Sequence, residues 1–310
     1  MPRLSIIIPT VRRGNLLLQT LDAATQAIEK TDAEIILVND NKKESLQLPE
    51  KFSIINVLDN PDSGAATARN FGSQHANGDL LLFLDDDILI DASHLEKCFE
   101  LNEKFPDACF NFNWKFPNEI TQLCKQTKFG RFLLHVGLTD YKGWVPELPW
   151  KMDELFEVNT LSAFCFIIPK KIFEKSGGFN SSFSRQGVED DELSKRLVKM
   201  GIQLFIEPRV FVLHNEIDKI DLKSRLNRLK AGAYNKRMAF DMGMKEYEIR
   251  YSLFKRSCYP ILSFSKKIII GCSKLIPNAK VFDHCYRMMA HILIGTVIFE
   301  GYYRKDNHML

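Results

Sequence analysis

No two of the seven cysteines stand at C-x-x-C spacing, and their number is odd. Both facts argue against a zinc module and against a disulfide framework. They point instead to a reducing compartment, with most cysteines serving as small buried hydrophobes. Long apolar runs are also missing: the longest late one, residues 288–299, is interrupted by His291 and falls short of the roughly 20 residues that a bilayer requires. Met1-Pro2-Arg3 leads straight into a strand-like segment with no apolar leader, so no signal peptide is expected and the expected setting is cytoplasmic. There is no internal repeat and no low-complexity segment. The basic residues lack the interleaved aromatic motifs of nucleic-acid binders, so no nucleic-acid partner is expected.

Charged residues are of ordinary abundance, 26% of the chain, but their net charge is small and unevenly spread. The net charge is +3, yet residues 251–310 hold nine Lys or Arg against three acids, and the rest of the chain sums to −3. Such a tail suits an anionic partner, for instance a membrane surface, or is a solvated basic face. Lys266-Lys267 followed by Ile268-Ile269-Ile270, and Met288 to Phe299 between Arg287 and Arg304-Lys305, have the make-up of helices lying in a membrane interface. They suit equally helices that pack on the rest of the chain or against a second copy.

The first 107 residues alternate between strand and helix patterns. Leu4-Ser5-Ile6-Ile7-Ile8-Pro9 and Glu34-Ile35-Ile36-Leu37-Val38 are continuous apolar runs rich in β-branched residues, as in strands buried on both faces. Further strands are expected at Phe52–Leu58 and Asp79–Leu84. Helices are expected over 15–29, with Leu17, Leu21, Ala24 and Ile28 inward, and from Gly64 to about Ala76. The alternation predicts an α/β fold with a mostly parallel central sheet flanked by helices. From 108 to 165 the pattern turns irregular and aromatic. A strand over Thr160–Ile168, a turn at Gly177-Gly178, a helix over Glu189–Met200 and short strands at Gln203–Ile206 and Val210–Leu213 follow. The expected division is an α/β domain over 1–216, in halves 1–107 and 108–216, and a helical basic C-terminal extension over 217–310.

Open α/β sheets bind ligands beyond the carboxyl ends of their strands. Pro9-Thr10, Asp40-Asn41 and Asp85-Asp86-Asp87 all fall at such ends. Three adjacent carboxylates repel one another, and a divalent cation such as Mn²⁺ or Mg²⁺ relieves the repulsion; the alternative is a solvated acidic turn. Glu189-Asp190-Asp191-Glu192 opens a helix, where the dipole favours acids in any case, but a carboxylate there can also act as a general base. His214 follows an apolar strand and is either structural or a metal ligand through neutral imidazole. Gly64-Ala65-Ala66-Thr67-Ala68-Arg69 lets a backbone approach a ligand closely, with Arg69 suited to a diphosphate. The alternative is a tightly packed helix bearing a surface Arg.

Taken in order, these stretches resemble the family 2 glycosyltransferases, which adopt the GT-A type nucleotide-binding fold. The matching segments are Ser5 to Thr10, Glu34 to Asn41, Gly64 to Asn70, Gly78 to Asp87, Gly177-Gly178-Phe179 and Glu189 to Leu197, spanning about residues 4–215. The resemblance implies that Pro9, Thr10 and Val11 line the base and ribose pocket and that Asp40 accepts a hydrogen bond from the imide of uracil. It implies that Asp85 holds ribose or sugar, that Asp87 reaches the metal with His214 completing that site, and that Asp190 is the catalytic base with Glu189 beside it. Arg13, Gly64, Ala65, Arg69 and Asp86 fall on the nucleotide-sugar side with them. Val11-Arg12-Arg13 replaces the aromatic and Asn common in the family, so Arg12 or Arg13 would stack on the base instead. Asn39 and Asn41-Lys42 replace an acid and a Gly-Ser, which bears on the uracil preference. The run Glu189 to Glu192 is similar to that of β-1,4-galactosyltransferases and points to galactose or an N-acetylhexosamine.

The implied activity is inverting transfer of a sugar from a nucleoside-diphosphate sugar, a UDP-hexose or UDP-N-acetylhexosamine, to a hydroxyl of a glycan or lipid-linked acceptor. Mn²⁺ or Mg²⁺ would be the cofactor, and the inner face of the cytoplasmic membrane a suitable location. No cysteine should be essential, since inversion needs no covalent intermediate. Trp144 and Trp150 could stack on sugar faces or fill core. One rival is a non-catalytic nucleotide-sugar or glycan-binding protein on the same fold, against which the intact Asp87 and Asp190 argue. The other is a nucleotidyltransferase, which would carry a Gly-rich loop with a Lys where this chain has Pro9-Thr10-Val11-Arg12-Arg13-Gly14.

Overall fold

A computed structural model of the chain describes residues 3–183 and 187–303. Met1-Pro2 and the pair Arg304-Lys305, expected to flank an interfacial helix, lie outside the described residues. In chain order the elements are β1 (Leu4–Thr10), α1 (Asn15–Ile28), β2 (Ala33–Asn39), β3 (Asn56–Asp59), α2 (Ala65–Gln74), β4 (Leu80–Leu84), β5 (Ile88–Leu89), α3 (Ala92–Lys104), β6 (Cys109–Lys115), α4 (Asn118–Gln126), α5 (Lys128–His135), α6 (Tyr141–Trp144), β7 (Phe156–Val158), β8 (Cys165–Pro169), α7 (Lys170–Ser176), α8 (Glu189–Lys199), β9 (Leu204–His214), α9 (Leu222–Asp241), α10 (Leu253–Leu275) and α11 (Asp283–Tyr303). They form two compact units: Met1–Pro117, Asp140–Ser184 and Glu189–Asn215 in the first, Asn118–Thr139, Arg185–Val188 and Glu216–Leu310 in the second.

The first unit carries the sheet, ordered β3-β2-β1-β4-β8-β6-β9-β5, with β7 paired to β9. β1, β2, β3 and β4 are parallel neighbours. Beyond β4 the sheet is mixed: β8 runs antiparallel to both β4 and β6, and β6 is parallel to β9. Every residue of β1 and of β4 is buried, because helices cover both faces of a parallel sheet. Leu17, Leu21, Ala24 and Ile28 of α1 are buried as their spacing requires. The third strand is shorter than expected: a 3₁₀ turn takes Glu50–Phe52, and β3 begins only at Asn56.

The start of β4 lies hard against β1. Gly78 N–H donates to Ser5 Oγ (2.9 Å), and Ser5 Oγ donates to Glu34 Oε1 (2.6 Å). A Cβ on Gly78 would lie 2.7 Å from Leu4 C and Ser5 N, which are backbone and cannot rotate away. Gly78→Ala is therefore expected to destabilise the chain by about 1–3 kcal/mol or more. This would be read as a lower urea midpoint at unchanged m-value.

Two further elements differ from the sequence expectation. Residues 109–115, read as irregular, form the central strand β6, with Phe110, Phe112 and Trp114 buried on one face and Asn111 and Asn113 buried on the other. Asn is disfavoured in strands, but here the amides hold neighbouring segments. Asn111 Nδ2 donates to Ser162 O (2.9 Å) and Cys165 O (2.7 Å), while its Oδ1 accepts from Tyr141 OH (2.6 Å) and Ser162 N (2.7 Å). The expected pair of strands at 203–213 is a single strand, β9, running through Pro208. Pairing with β6 slips between Phe112 and Asn113 at that point, and a bulge is where a strand tolerates proline.

The second unit is helical. Leu226 of α9 and Leu293 and Val297 of α11 form its core, with Leu222, Leu229, Ile269, Ile270 and Ile294 packed on them. Lys266 of α10 donates to Glu300 (2.6 Å), so one of the expected headgroup-facing lysines is an internal partner. α5 belongs here through Arg131, paired to Asp283 (2.7 Å), and through Lys128 Nζ. The latter donates to the carbonyls of Ser273 (2.9 Å) and Lys274 (3.0 Å), near the negative end of α10. Among the described residues no helix is long and apolar enough to cross a membrane.

Candidate active site

The ends of the parallel strands bring the predicted residues together. Asp40 N–H donates to Thr10 O (2.8 Å), joining the ends of β1 and β2. Pro9 and Thr10 are buried there, and Val11 is exposed. The Asp40 carboxylate accepts from Gly64 N (3.0 Å) and from Asn60 Nδ2 (2.7 Å), so it ties the end of β2 to the N-terminus of α2. Gly64 sits at φ +111°, a conformation that favours glycine, and Ala65 begins the helix. Arg13 donates to Asn39 Oδ1 (2.8 Å) and to Glu44 O (2.8 Å), bracing the same edge.

The acid triplet follows β4: Asp85 meets Arg69, while Asp86 and Asp87 share Arg12. Asp85 Oδ1 accepts from Arg69 Nη2 (2.7 Å). Asp86 Oδ2 accepts from Thr10 Oγ1 (2.6 Å), and its Oδ1 accepts from Arg12 Nε (2.8 Å). Asp87 Oδ2 accepts from Arg12 Nη2 (2.6 Å). Burial, and after it the charge of Asp87, push the Asp86 carboxyl above the usual carboxylate range, against the pull of Arg12. Arg12 and Arg13 thus turn toward protein oxygens. Arg12 in particular is the counter-charge of Asp86 and Asp87, a role that the sequence alone does not show.

His214 reaches the triplet through β5. That two-residue strand pairs antiparallel with the end of β9, setting Ile88 opposite His214, and Asn215 N–H donates to Asp87 O (2.7 Å). His214 Nε2 then lies 3.4 Å from Asp87 Oδ1, with both side chains almost fully buried. Trp114 and Trp144 stand edge-on to the imidazole at 5.0 Å and 5.4 Å between ring centroids. Trp144 therefore walls His214, while Trp150 packs on Tyr141 and Phe156. A carboxylate oxygen and an imidazole nitrogen at this separation are donors that suit Mn²⁺. The Arg12 guanidinium already offsets charge on Asp86 and Asp87, so a cation bound here would share these acids with it.

Glu189 and Asp190 open α8 on the far side of Asp85. Arg69 bridges the gap: Nη2 holds Asp85, Nη1 lies 3.9 Å from Glu189 Oε1, and the guanidinium stacks over Phe179 at 5.4 Å. Its side chain is 5% exposed, so Arg69 is not a surface residue. Asp190 Oδ1 accepts from Asp191 N (2.9 Å), and Oδ2 takes a long contact from Ala163 N (3.4 Å). Ala163 precedes Phe164, whose carbonyl accepts from Asp85 N–H (3.0 Å). One short segment thus separates the two acid groups. Asp190 keeps part of its surface open to solvent, yet burial and then the charge of Glu189 raise its pKa to about 7, partly offset by Arg69.

Residues 5–176 match the model of glycosyl transferase family 2. The chain belongs to that family. Residues 152–229 of this glycosyltransferase also match a model described as the N-terminal domain of galactosyltransferase. It is similar to the O-antigen biosynthesis protein RfbC of Myxococcus xanthus, 26% identical over 69% of this chain and 17% of that protein. It is also similar to an uncharacterized glycosyltransferase of Haemophilus influenzae, 35% identical over 34% of this chain and 36% of that protein. The chain therefore spans well under two thirds of the length of either relative. Among solved structures it resembles a mannosyltransferase of Pyrobaculum calidifontis in complex with GDP-Man and Mn²⁺ (TM-score 0.56, 12% identity, 98% of this chain and 88% of that one). It also resembles S. aureus TarS 1-349 (TM-score 0.53, 15% identity, 97% and 89%). At such identities the likeness shows the GT-A fold of the glycosyltransferase.

Proposed function

We propose that this glycosyltransferase moves a hexose or N-acetylhexosamine from a UDP-sugar to a hydroxyl of a glycan or lipid-linked acceptor, with inversion. The observation that carries the reading is the convergence of two acid groups about a hundred residues apart: Asp85 and Glu189 share Arg69, and Asp190 stands beside them. In this reading Arg69 positions Asp85 against the sugar-bearing part of the donor and holds Glu189 in place. Asp190 takes the proton of the attacking hydroxyl. A carboxyl with a pKa of about 7 is a far better base than an ordinary one while still ionised to a useful extent near neutrality. Thr10 and Asp40, at the ends of β1 and β2, would bind the nucleoside in this reading.

Asp87 and His214 would hold a divalent cation, Mn²⁺ or Mg²⁺, which when bound neutralises charge on the departing diphosphate. The solved mannosyltransferase captured with GDP-Man and Mn²⁺ supports this reading. The galactosyltransferase match over 152–229, which includes Glu189 and Asp190, supports the choice of hexose. Four of the seven cysteines are poor nucleophiles: Cys98, Cys109 and Cys165 are buried with thiols pushed far up, and Cys124 is raised to about 11. With a lipid-linked acceptor the enzyme would work at the cytoplasmic face of a membrane.

The direct test is release of UDP from UDP-glucose, UDP-galactose and their N-acetylated counterparts, with and without Mn²⁺. Release that requires Mn²⁺ is the expected result. No release from any of them, together with no Mn²⁺-dependent thermal stabilisation by UDP, would remove the proposal.

A further inference from the structure

α10 carries an apolar stripe on its solvent side. Leu253, Phe254, Ile261, Phe264, Ile268 and Leu275 are all exposed, Phe264 at 92%. At helical spacing they fall within about 100° of arc. Ser263, Ser273 and Lys266, the last held by Glu300, lie on the opposite side, toward the interior of the second unit. Arg256, Lys267 and Lys274, all exposed, follow one another along one edge of the stripe. The helix contains no Asp or Glu.

We infer that this face of α10 binds an anionic lipid surface, with the apolar stripe among the upper acyl chains and Arg256, Lys267 and Lys274 at the headgroups. The charge pattern selects this occupant over a second copy of the chain. Pairing two copies of α10 through the stripe would set the basic row against itself if the helices ran antiparallel and leave it without an acid partner if they ran parallel, since the helix has neither Asp nor Glu. An anionic bilayer surface complements the row and accepts the apolar side chains at once. The helix is not apolar enough to cross a bilayer, so it lies in the plane. Lys266, which the sequence groups with Lys267, is excluded from headgroup contact by its bond to Glu300.

The test is co-sedimentation of the full chain with vesicles of phosphatidylcholine alone or of equimolar phosphatidylcholine and phosphatidylglycerol. Binding to the second and little to the first is expected, weakening with added salt. Replacing Arg256, Lys267 and Lys274 together by Gln should lower partitioning roughly a hundredfold. Phe264→Glu should abolish binding while leaving the melting temperature unchanged, since the ring is exposed. Equal binding to both vesicle types, binding to neither, or undiminished binding of the Phe264→Glu variant would each overturn the inference. So would a dimer that Phe264→Glu dissociates in a chain that ignores vesicles. Partitioning is read without donor or acceptor, so this inference and the catalytic proposal can fail separately.

Discussion

Replacing Asp190 with Asn is expected to lower sugar transfer by about 10²–10⁴ while leaving UDP binding near wild type. The loss should come without loss of stability. Burial and the charge of Glu189 both oppose ionisation of Asp190, so a neutral amide of the same shape relieves a repulsion. The sign of the accompanying pH dependence follows from the raised pKa. A general base acts only when deprotonated, so the wild-type rate should climb as pH rises through about 7 and level off above it, and the Asn variant should lack that limb. Stability moves the other way. The folded chain binds this proton more tightly than the unfolded chain, whose carboxyl titrates near 3.8. The contribution is thus complete below that pH and lost as pH rises through about 7. UDP release across pH, with melting temperatures of both proteins, checks both statements. An Asn variant that keeps the rising limb would exclude Asp190 as the base.

The parts of the fold visible in the sequence are those whose burial is uniform. β1, β2 and β4 are covered on both faces and so appear as unbroken apolar runs. The acids at the end of β4 then fall where parallel sheets bind ligands, and the helix that begins at Glu189 is marked by its own acids. What escaped the sequence depends on partners distant in the chain. β6 hides behind Asn111 and Asn113, because only the folded sheet supplies the carbonyls of Ser162, Cys165 and Pro208 that make a buried Asn acceptable. β5 is two residues long, too short for any periodicity, yet it brings His214 against Asp87. Arg12 meets Asp86 and Asp87 across some 75 positions because β1 and β4 are neighbours; nothing local distinguishes it from Arg13. Trp144 shows the same limit: its aromatic character was plain, but not that its ring would wall an imidazole.

Replacing Asp87 with Asn is expected to abolish the rise in melting temperature that Mn²⁺ produces and to lower turnover on the order of 10³. A bound cation stabilises leaving-group charge by several kcal/mol, and each 1.4 kcal/mol or so is tenfold in rate. The position of Arg12 makes the prediction sharper. Its guanidinium lies 2.8 Å from Asp86 and 2.6 Å from Asp87, so a cation held by Asp87 competes with a positive charge already in place. Removing that charge by Arg12→Gln should cost the chain alone about 3–5 kcal/mol, the usual penalty for breaking a buried pair. Mn²⁺ should then recover more stability in the Gln variant than it adds to wild type, because it meets acids that have lost a competitor. The two variants thus move the Mn²⁺ response in opposite directions: none in Asp87→Asn, enlarged in Arg12→Gln. A thermal titration with Mn²⁺ reads both without substrate. A response in Asp87→Asn equal to that of wild type would move the metal away from Asp87 and His214.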